Sequence, residues 1–560
     1  MSHNAYTVVN PRKKAKEKVL PKQSKKLKDQ VRNSDGAAVW KLDDFDRLGR
    51  FLILGSEGGS YYASEKKLTK ENGKCISRLL KAGKGLEVVQ KIVEVSDEGK
   101  APKNDPALFA LAMCAGLGDD ETKTAALDAL PKVARFGTHL FHFVEFVLQF
   151  RGWGRSLRKA IANWYSEKEV GKLEFDTQKY KARDGWSHQD LLRLSHVKPK
   201  NDAYRLLYLF VTNEEKFHET VSDEDFKAQL PFVYASESLK GLEKSKDIVK
   251  IVKAHRLPME VVPTEKRSKA IYEVMLDNYG ITALIRNLGN LTKQEVLSKM
   301  ELDAVRTVVA RLTNEEQLKR GRVHPLSVLN ALKTYGSGRG FRGGNAWIPV
   351  QRIVDALDDS FYLCFKNIEP TGKRIMLALD VSGSMEGNMI AGMNIDARTA
   401  SGALAMATIR TEKDVVVTAF SGGNRGGWGG HVVTDNPVLT ELDLSPKLRL
   451  DSVINEISDL PFDSTDCSLP MRWALKKNLK VDAFVIYTDS ETNAYGSIQP
   501  HAALKQYRDK MGIPDAKMIV VGMCSNGFSI ANPEDRHSLD VVGFSTDCPT
   551  IINDFIRGDI

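Results

Sequence analysis

Between about residues 35 and 367, apolar side chains recur every three or four positions. That spacing gathers them on one face of an α-helix. Residues 107–117, 138–150, 157–165, 189–194, 266–279 and 281–288 all carry the pattern. Start signals agree with it. Ser187-x-x-Asp190, Thr292-x-x-Glu295 and Thr313-x-x-Glu316 have capping-box spacing, the first with Asp in the usual Glu or Gln place. Pro325 stands where a first helical turn accepts proline. Many medium helices with short connectors predict stacked antiparallel pairs, an α-solenoid. No clean fixed-period repeat is visible.

After Pro370 the period changes. KRIMLALDVS, DVVVTAFS, DAFVIYTD and AKMIVVGM are short, β-rich apolar runs separated by helical stretches. Alternation of this kind predicts βα units on a doubly wound, mainly parallel sheet with both faces buried. The boundary falls near 366–372, where EPTGK breaks the helical pattern. Residues 1–30 are rich in Lys and poor in aromatics, which predicts a disordered basic arm. The expected organisation is therefore an arm over 1–34, an all-α helical-repeat region over 35–368 and an α/β domain over 369–560.

Charge sharpens that division. The chain has 560 residues and a formal net charge of +9, but Lys and Arg number 18 against 25 Asp and Glu from Glu369 onward. The C-terminal part is thus −7 and the rest +16. Residues 1–30 contribute +7 and residues 151–200 contribute +6. A basic half invites a polyanion, because each neutralised phosphate releases counterions, although solvated helix faces also carry such charge. No apolar run approaches the ~18 residues a membrane helix needs. The N-terminus has no signal-peptide apolar stretch, so secretion is not expected. Six scattered cysteines never form CxxC, which argues against a disulfide framework or cysteine zinc site and for a reducing compartment. Cytoplasm is the default expectation, and in a eukaryote the basic arm has the composition to serve as a nuclear signal as well.

The sharpest chemistry lies at the end of the first predicted strand, Asp380-Val381-Ser382-Gly383-Ser384. Ligands of open α/β sheets bind beyond the carboxyl ends of strands. An Asp with two hydroxyls offers hard oxygen donors, suited to Mg²⁺. Thr465, before a helix, and Asp489, ending another strand, complete the set. This DxSxS…T…D set resembles the metal-ion-dependent adhesion site of von Willebrand factor A domains. In that family the serines and threonine bind Mg²⁺, the aspartates often act through water, and an open position accepts a partner's carboxylate. Asp and Ser after a strand also simply cap the next helix. An aspartyl-phosphate phosphatase with Asp380 as nucleophile is the enzymatic alternative, but Ser382 stands where its proton donor would be. No GxxxxGK[ST] loop is present, so an NTPase reading fails. The site reads as a binding site without catalysis.

RGWGRSLRKAIANWYSEKEV and TQKYKARDGWSHQDLLRLSH mix cations with Trp, Tyr and His, the combination that holds single-stranded RNA. Lys179, Lys181 and Arg183 fall in a short connector and His188 in the next helix's first turn, with Arg155, Arg158 and Lys159 one helix earlier. Trp153, Trp164 and Trp186 are read as core residues. The stretches 336–344 and 421–430 are rich in Gly and Arg and read as mobile connectors or flexible nucleic-acid contacts. His139-x-x-His142-x-x-Glu145 has helical spacing but not HExxH order and is read as structural.

FLILGSEGGSYY, GWGRSLRKAIANWY, KYKARDGWSHQDLLRLSH, ITALIRNLGNL, EPTGKRIMLALDVSGSM, STDCSLPM and GMCSNGFSIANPEDR resemble the Ro autoantigen, or TROVE-domain, family from about Lys41 to the end. The resemblance implies a ring of HEAT-like helical repeats closed by contact with a von Willebrand factor A domain. It implies an RNA-binding protein that takes small noncoding Y-like RNA on a basic outer surface and 3′ single-stranded ends of misfolded RNA in a central hole, a quality-control role. On this chain the RNA-binding residues would be Lys179, Lys181, Arg183 and His188, with Arg158 and Lys159 secondary. The metal residues would be Asp380, Ser382, Ser384, Thr465 and Asp489, holding a divalent cation, Mg²⁺ first. Further implied are a monomeric ring, no membrane partner and an exoribonuclease partner of the kind bacterial members have. Three departures stand out: a longer basic arm, an insertion-like SGGNRGGWGG, and Asp463-Ser464 in place of a glycine pair. The alternative reading is a metal-dependent protein-interaction module that recruits an acidic partner, with RNA binding incidental.

Overall fold

The computed structural model describes residues 20–56, 64–340, 344–365, 368–387, 389–390, 393–421, 438–458, 460, 464–494 and 496–560. The expected helices form close to where their periodicity places them: Asp105–Leu117, Gly137–Leu148, Arg155–Glu167, His188–Ser195, Lys269–Asn278 and Ile281–Lys293. Two start signals were misplaced. Thr292 lies inside its helix and donates back to Leu288 O at 2.9 Å, a bond local enough to mimic a cap signal in sequence. Asn314, not Thr313, caps Glu315–Arg320 by accepting from Gln317 N. Ser187 does form a reciprocal capping box with Asp190, and Pro325 opens Pro325–Gly336.

Successive helical pairs are stapled by long side chains that reach a neighbour's chain ends, where backbone groups lack helical partners. Glu174 accepts from Phe232 N and Val233 N at the start of Pro231–Gly241. Burial pushes its carboxyl up to about 7. Arg311 donates to Leu276 O and, at 2.6 Å, to Tyr279 O; Asn278 donates to Val252 O and Leu257 O. The array then closes on itself. Arg322 donates to Asp97 O at 2.6 Å and to its carboxylate at 2.7 Å across 225 residues of chain.

The strands are β1 (Gln30–Arg32), β2 (Ala38–Lys41), β3 (Ala182–Arg183), β4 (Trp186–Ser187), β5 (Ile375–Asp380), β6 (Val415–Ser421), β7 (Val438–Leu442), β8 (Ala483–Thr488), β9 (Lys517–Gly522), β10 (Phe528–Ser529) and β11 (Ser538–Val542). The C-terminal sheet runs β11-β9-β8-β5-β6-β7, parallel except for β7, the mixed doubly wound sheet expected. Side chains of β5 alternate between two cores: Ile375, Leu377 and Leu379 join the apolar cluster continuous with the helical region, and Met376 and Ala378 join the opposite face.

Segment 20–34 does not behave as part of a disordered arm; residues 1–19 lie outside the described residues. β1 and β2 form an antiparallel hairpin, β2 pairs with β10, and Val39 packs with Met376 and Phe484 on the sheet's second face. From residue 20 the chain therefore runs on the C-terminal domain before it builds the helices. Its first helix, Asp44–Leu54, places Arg50 at that junction, fully buried. Arg50 holds both Asp540 oxygens at 2.6 and 2.7 Å, Asn526 Oδ1 at 2.6 Å and Phe528 O at 3.2 Å. A Cβ at Gly522 would lie 2.6 Å from this guanidinium, so the close approach needs glycine there.

A second junction sits at the ring seam. His324 is buried, donates from Nε2 to Phe544 O at 2.7 Å and Lys100 O at 3.2 Å, and accepts from Leu326 N. Lys100 pairs with Glu94 at 2.6 Å and Asp547 at 3.1 Å. Burial works against that ammonium, but Glu94 and Asp547 outweigh it and hold it above its ordinary range. Among the described residues no helix is long and apolar enough to cross a membrane. The six cysteines form no disulfide.

Arg50→Ala would leave Asp540 and two oxygen acceptors without their cation, a loss of about 3–5 kcal/mol for a broken buried pair. Denaturant unfolding should report it; a variant as stable as the wild type would refute the assignment. His324 gives a pH signature. Burial lowers it from 6.5 to about 4, so its contribution is complete above pH 6.5 and is lost as pH falls towards 4. Unfolding at pH 7.5 and pH 5 should differ by about 2 kcal/mol from this residue. His324→Gln should flatten that dependence.

Candidate functional site: a cationic hairpin and an oxygen-donor loop set

Asp184-Gly185 is the strongest short-range hairpin signal in the helical half. Asp184 has φ 54° and Gly185 φ 80°, positive at both central positions as a type I′ turn requires. The turn joins β3 to β4, with Ala182 opposite Ser187 and Arg183 opposite Trp186. The helix Gly137–Leu148 clamps it from beneath. His142 Nδ1 bonds the Asp184 carboxylate, and Trp186 Nε1 donates to Glu145 Oε2 at 3.2 Å. Two members of the His-x-x-His-x-x-Glu spacing thus hold a hairpin and not a metal. His139, the third, stacks on Phe136.

The candidate RNA contacts divide on this platform. Lys181 and Arg183 are exposed, Arg183 with 60% of its side chain accessible and Asp184 3.7 Å away. Lys179 is largely covered, 4.0 Å from Glu260 and over the Phe175 and Tyr180 rings. His188 is a correction: it is 2% exposed. Its Nδ1 lies 2.7 Å from Tyr165 OH, and Phe141 and Trp164 pack around its ring. Burial drives its pKa down to about 3, so it is a neutral strut under the hairpin and not a ligand-facing cation. Lys159 is exposed and lines a surface groove of about 620 Å³ with Lys123 and Arg151, beside the half-buried Arg158.

Trp164 is core, as expected, fully buried with Lys168 Nζ 3.7 Å over its ring. Trp153 and Trp186 are half-buried and stack on one another at 6.0 Å. Residues 341–343 and 422–430, parts of the two Gly-Arg stretches, lie outside the described residues. One feature escaped the sequence reading. Lys246, Lys250 and Lys253 are exposed at i, i+4 and i+7 on the helix Ser245–Ala254, whose other side buries Ile248 and Val252. Periodicity of cations, read as carefully as that of apolar residues, would have found this stripe.

In the C-terminal domain, Asp380, Ser382, Ser384, Thr465 and Asp489 are all buried. Asp380 Oδ1 accepts from Ser382 N at 3.0 Å and Oδ2 from Thr488 Oγ1 at 2.6 Å. The Ser382 and Ser384 hydroxyls lie 3.1 Å apart. Cys467, two residues beyond Thr465, reaches the same Thr488 at 3.7 Å, so three loops meet at the strand ends. Burial raises the Asp380 carboxyl despite its hydrogen bonds from Ser382 and Thr488 and the nearby Arg398. Asp489 Oδ1 accepts from Glu491 N at 3.0 Å. Glu491 is pushed up to about 8 by burial and by Asp489.

These donors are all oxygens, two carboxylates and three hydroxyls, and they fit a hard divalent cation. Among the described residues no group of three His, Cys, Asp or Glu side chains is arranged to hold a metal, so the hydroxyls are indispensable to any such site. Asp463 lies outside the described residues; Thr465 N is fixed by Asn493 Oδ1 at 2.7 Å.

Comparison with known proteins covers both halves. Residues 31–335 match the TROVE domain model and residues 374–556 the Ro60 vWA domain model. The chain is 39% identical over 536 residues to the RNA-binding protein RO60 of Deinococcus radiodurans, covering 95% of this chain and 96% of that protein. It is 35% identical to the RNA-binding protein RO60 of Caenorhabditis elegans, covering 97% and 92%. The crystal structure of the Deinococcus radiodurans RO (RSR) protein superposes with a TM-score of 0.67 at 38% identity, over 92% of this chain and all of that one.

The hairpin geometry makes a prediction of its own. Gly185→Val places a β-branched side chain at φ 80°, a strain on the order of 1–3 kcal/mol. Hydrogen exchange should accelerate across 182–187 while the helices beneath keep their protection. Unchanged exchange there would mean that the positive-φ turn does not set the hairpin.

Proposed function

The chain belongs to the Ro60 family of TROVE-domain proteins, and we propose that it is the RNA-binding scaffold of a Ro ribonucleoprotein. In this reading a small Y-like noncoding RNA lies on the basic outer surface. The single-stranded 3′ ends of misfolded or 3′-extended RNAs enter the hole of a monomeric ring, for quality control. The observation that carries it is the rigidly clamped β3–β4 hairpin, which holds Lys181 and Arg183 out to solvent above a buried aromatic floor. Cations pre-placed on a fixed turn meet phosphates without the entropy cost of ordering a loop. The Lys246, Lys250 and Lys253 stripe supplies a second run of cations for the RNA backbone.

The protein's own role is binding, with no chemical step. Asp380 supports this: both carboxylate oxygens are engaged and the group is buried, a poor arrangement for a nucleophile. Its site would take Mg²⁺ through Ser382, Ser384 and Thr465, with Asp380 and Asp489 supporting. A bound cation would supply an open position for a partner's carboxylate. That donor set favours a second, protein-recruiting activity, for which an exoribonuclease is the fitting class of partner. In this reading the particle works in a reducing compartment, the cytoplasm or also the nucleus of a eukaryotic cell, which suits the six free cysteines.

The test is binding of a fluorescent stem with a free single-stranded 3′ tail, at two salt concentrations and against a blunt-ended control. Lys181→Ala/Arg183→Ala should weaken binding about tenfold and make the salt slope shallower by about two, one per lost phosphate contact. Lys179→Ala alone should matter less. His188→Ala should act through loss of stability, since that ring is interior. Absence of binding by the intact protein would leave the cation site and its protein partner as the primary function.

A further inference from the structure

The loops that carry the candidate cation site are held from outside by the N-terminal strap. Gln23 is fully buried against them. Its Nε2 donates to Asp466 Oδ1 at 2.8 Å, and its Oε1 accepts from Thr492 Oγ1 at 2.7 Å and Ala494 N at 3.1 Å. Asn33, 5% exposed, donates to Thr492 O at 2.7 Å, and Ser34 N donates to Glu491 Oε2 at 2.9 Å. Asp35 receives the Asn493 amide at 2.5 Å.

That last contact leads straight to a donor. Asn493 returns two bonds to Thr465: its Oδ1 accepts Thr465 N at 2.7 Å, and its N donates to Thr465 O at 2.9 Å. Thr465 therefore owes its backbone position to a residue oriented by the strap. Asp489 is followed by Ser490 at φ 62°, a left-handed turn that Asn33 bridges through the next carbonyls. The strap's amides satisfy buried polar groups of both loops.

We infer that Gln23, Asn33 and Asp35 are positioning residues for the cation site, and that strap docking and cation binding are reciprocally linked. The inference rests on the divalent-cation reading above. A cation that fixes Thr465 and Asp489 favours the loop geometry the strap recognises, so each event strengthens the other by the same factor. Docking also places residues 20–35 beside the cation loops.

The experiment uses the full chain and Mn²⁺ as the probe. Calorimetric titration should give at least tenfold weaker Mn²⁺ binding for Gln23→Ala/Asn33→Ala than for the wild type, with RNA affinity retained. In the unsubstituted protein, Mn²⁺ should slow hydrogen exchange over residues 21–35, and Asp380→Ala should abolish both Mn²⁺ binding and this protection. Equal Mn²⁺ affinity in wild type and the double variant would overturn the inference, as would exchange over 21–35 that ignores bound Mn²⁺. Failure of the wild type to bind Mn²⁺ would overturn the cation reading itself and the inference with it.

Discussion

Everything in this structure turns on one buried guanidinium. Arg50 joins Asp540, 490 residues later in the chain, through one Nη, and its other Nη donates to Asn526 and Phe528 on the way. A charge with no solvent access survives only if paired and hydrogen-bonded, so the first helix of the helical region and the last strand of the sheet cannot separate without exposing an unsatisfied ion. The β2–β10 pairing and the His324–Phe544 bond are two further ties to the α/β domain. The helical array is thereby tied at both of its ends to one α/β domain. Its own closure, Arg322 on Asp97, is held in a fixed setting.

That arrangement explains why the two candidate sites are built so differently. The hairpin with Lys181 and Arg183 needs exposure, and it takes its rigidity from below, through His142, Glu145 and the neutral His188 strut. The oxygen-donor loops need shelter from water, and part of it comes from segment 20–35, far from them in sequence. Charge is distributed accordingly, basic where phosphates would be met and acidic where a cation would be held.

Much of this was legible in the residues. Three-to-four spacing found the helices, and apolar runs after Pro370 found four of the six sheet strands. DxSxS at the end of β5, with Thr465 and Asp489, named loops that the fold does bring together. What escaped was non-local. β7 and β11 are short edge strands with ordinary composition. His188 carried the right residue type in the right motif, yet it is interior because its helix turns that face onto Tyr165 and Trp164. Segment 20–34 looked disordered because lysines dominate it, whereas its few decisive residues, Gln23, Gln30 and Asn33, are the ones that are buried.

By itself, then, the sequence determined the local elements and the identity of the chemical groups: a helical basic half, a βα acidic half and hard oxygen donors at a strand end. These follow from periodicity and side-chain chemistry, which act within a few residues. Tertiary structure alone decided which polar residues are buried as supports and which face solvent as contacts. Arg50 and Lys181 are both cations on paper. The difference is the company each keeps in space, Asp540 and a carbonyl shell for one and open water for the other, and that depends on contacts hundreds of residues apart that no local pattern encodes.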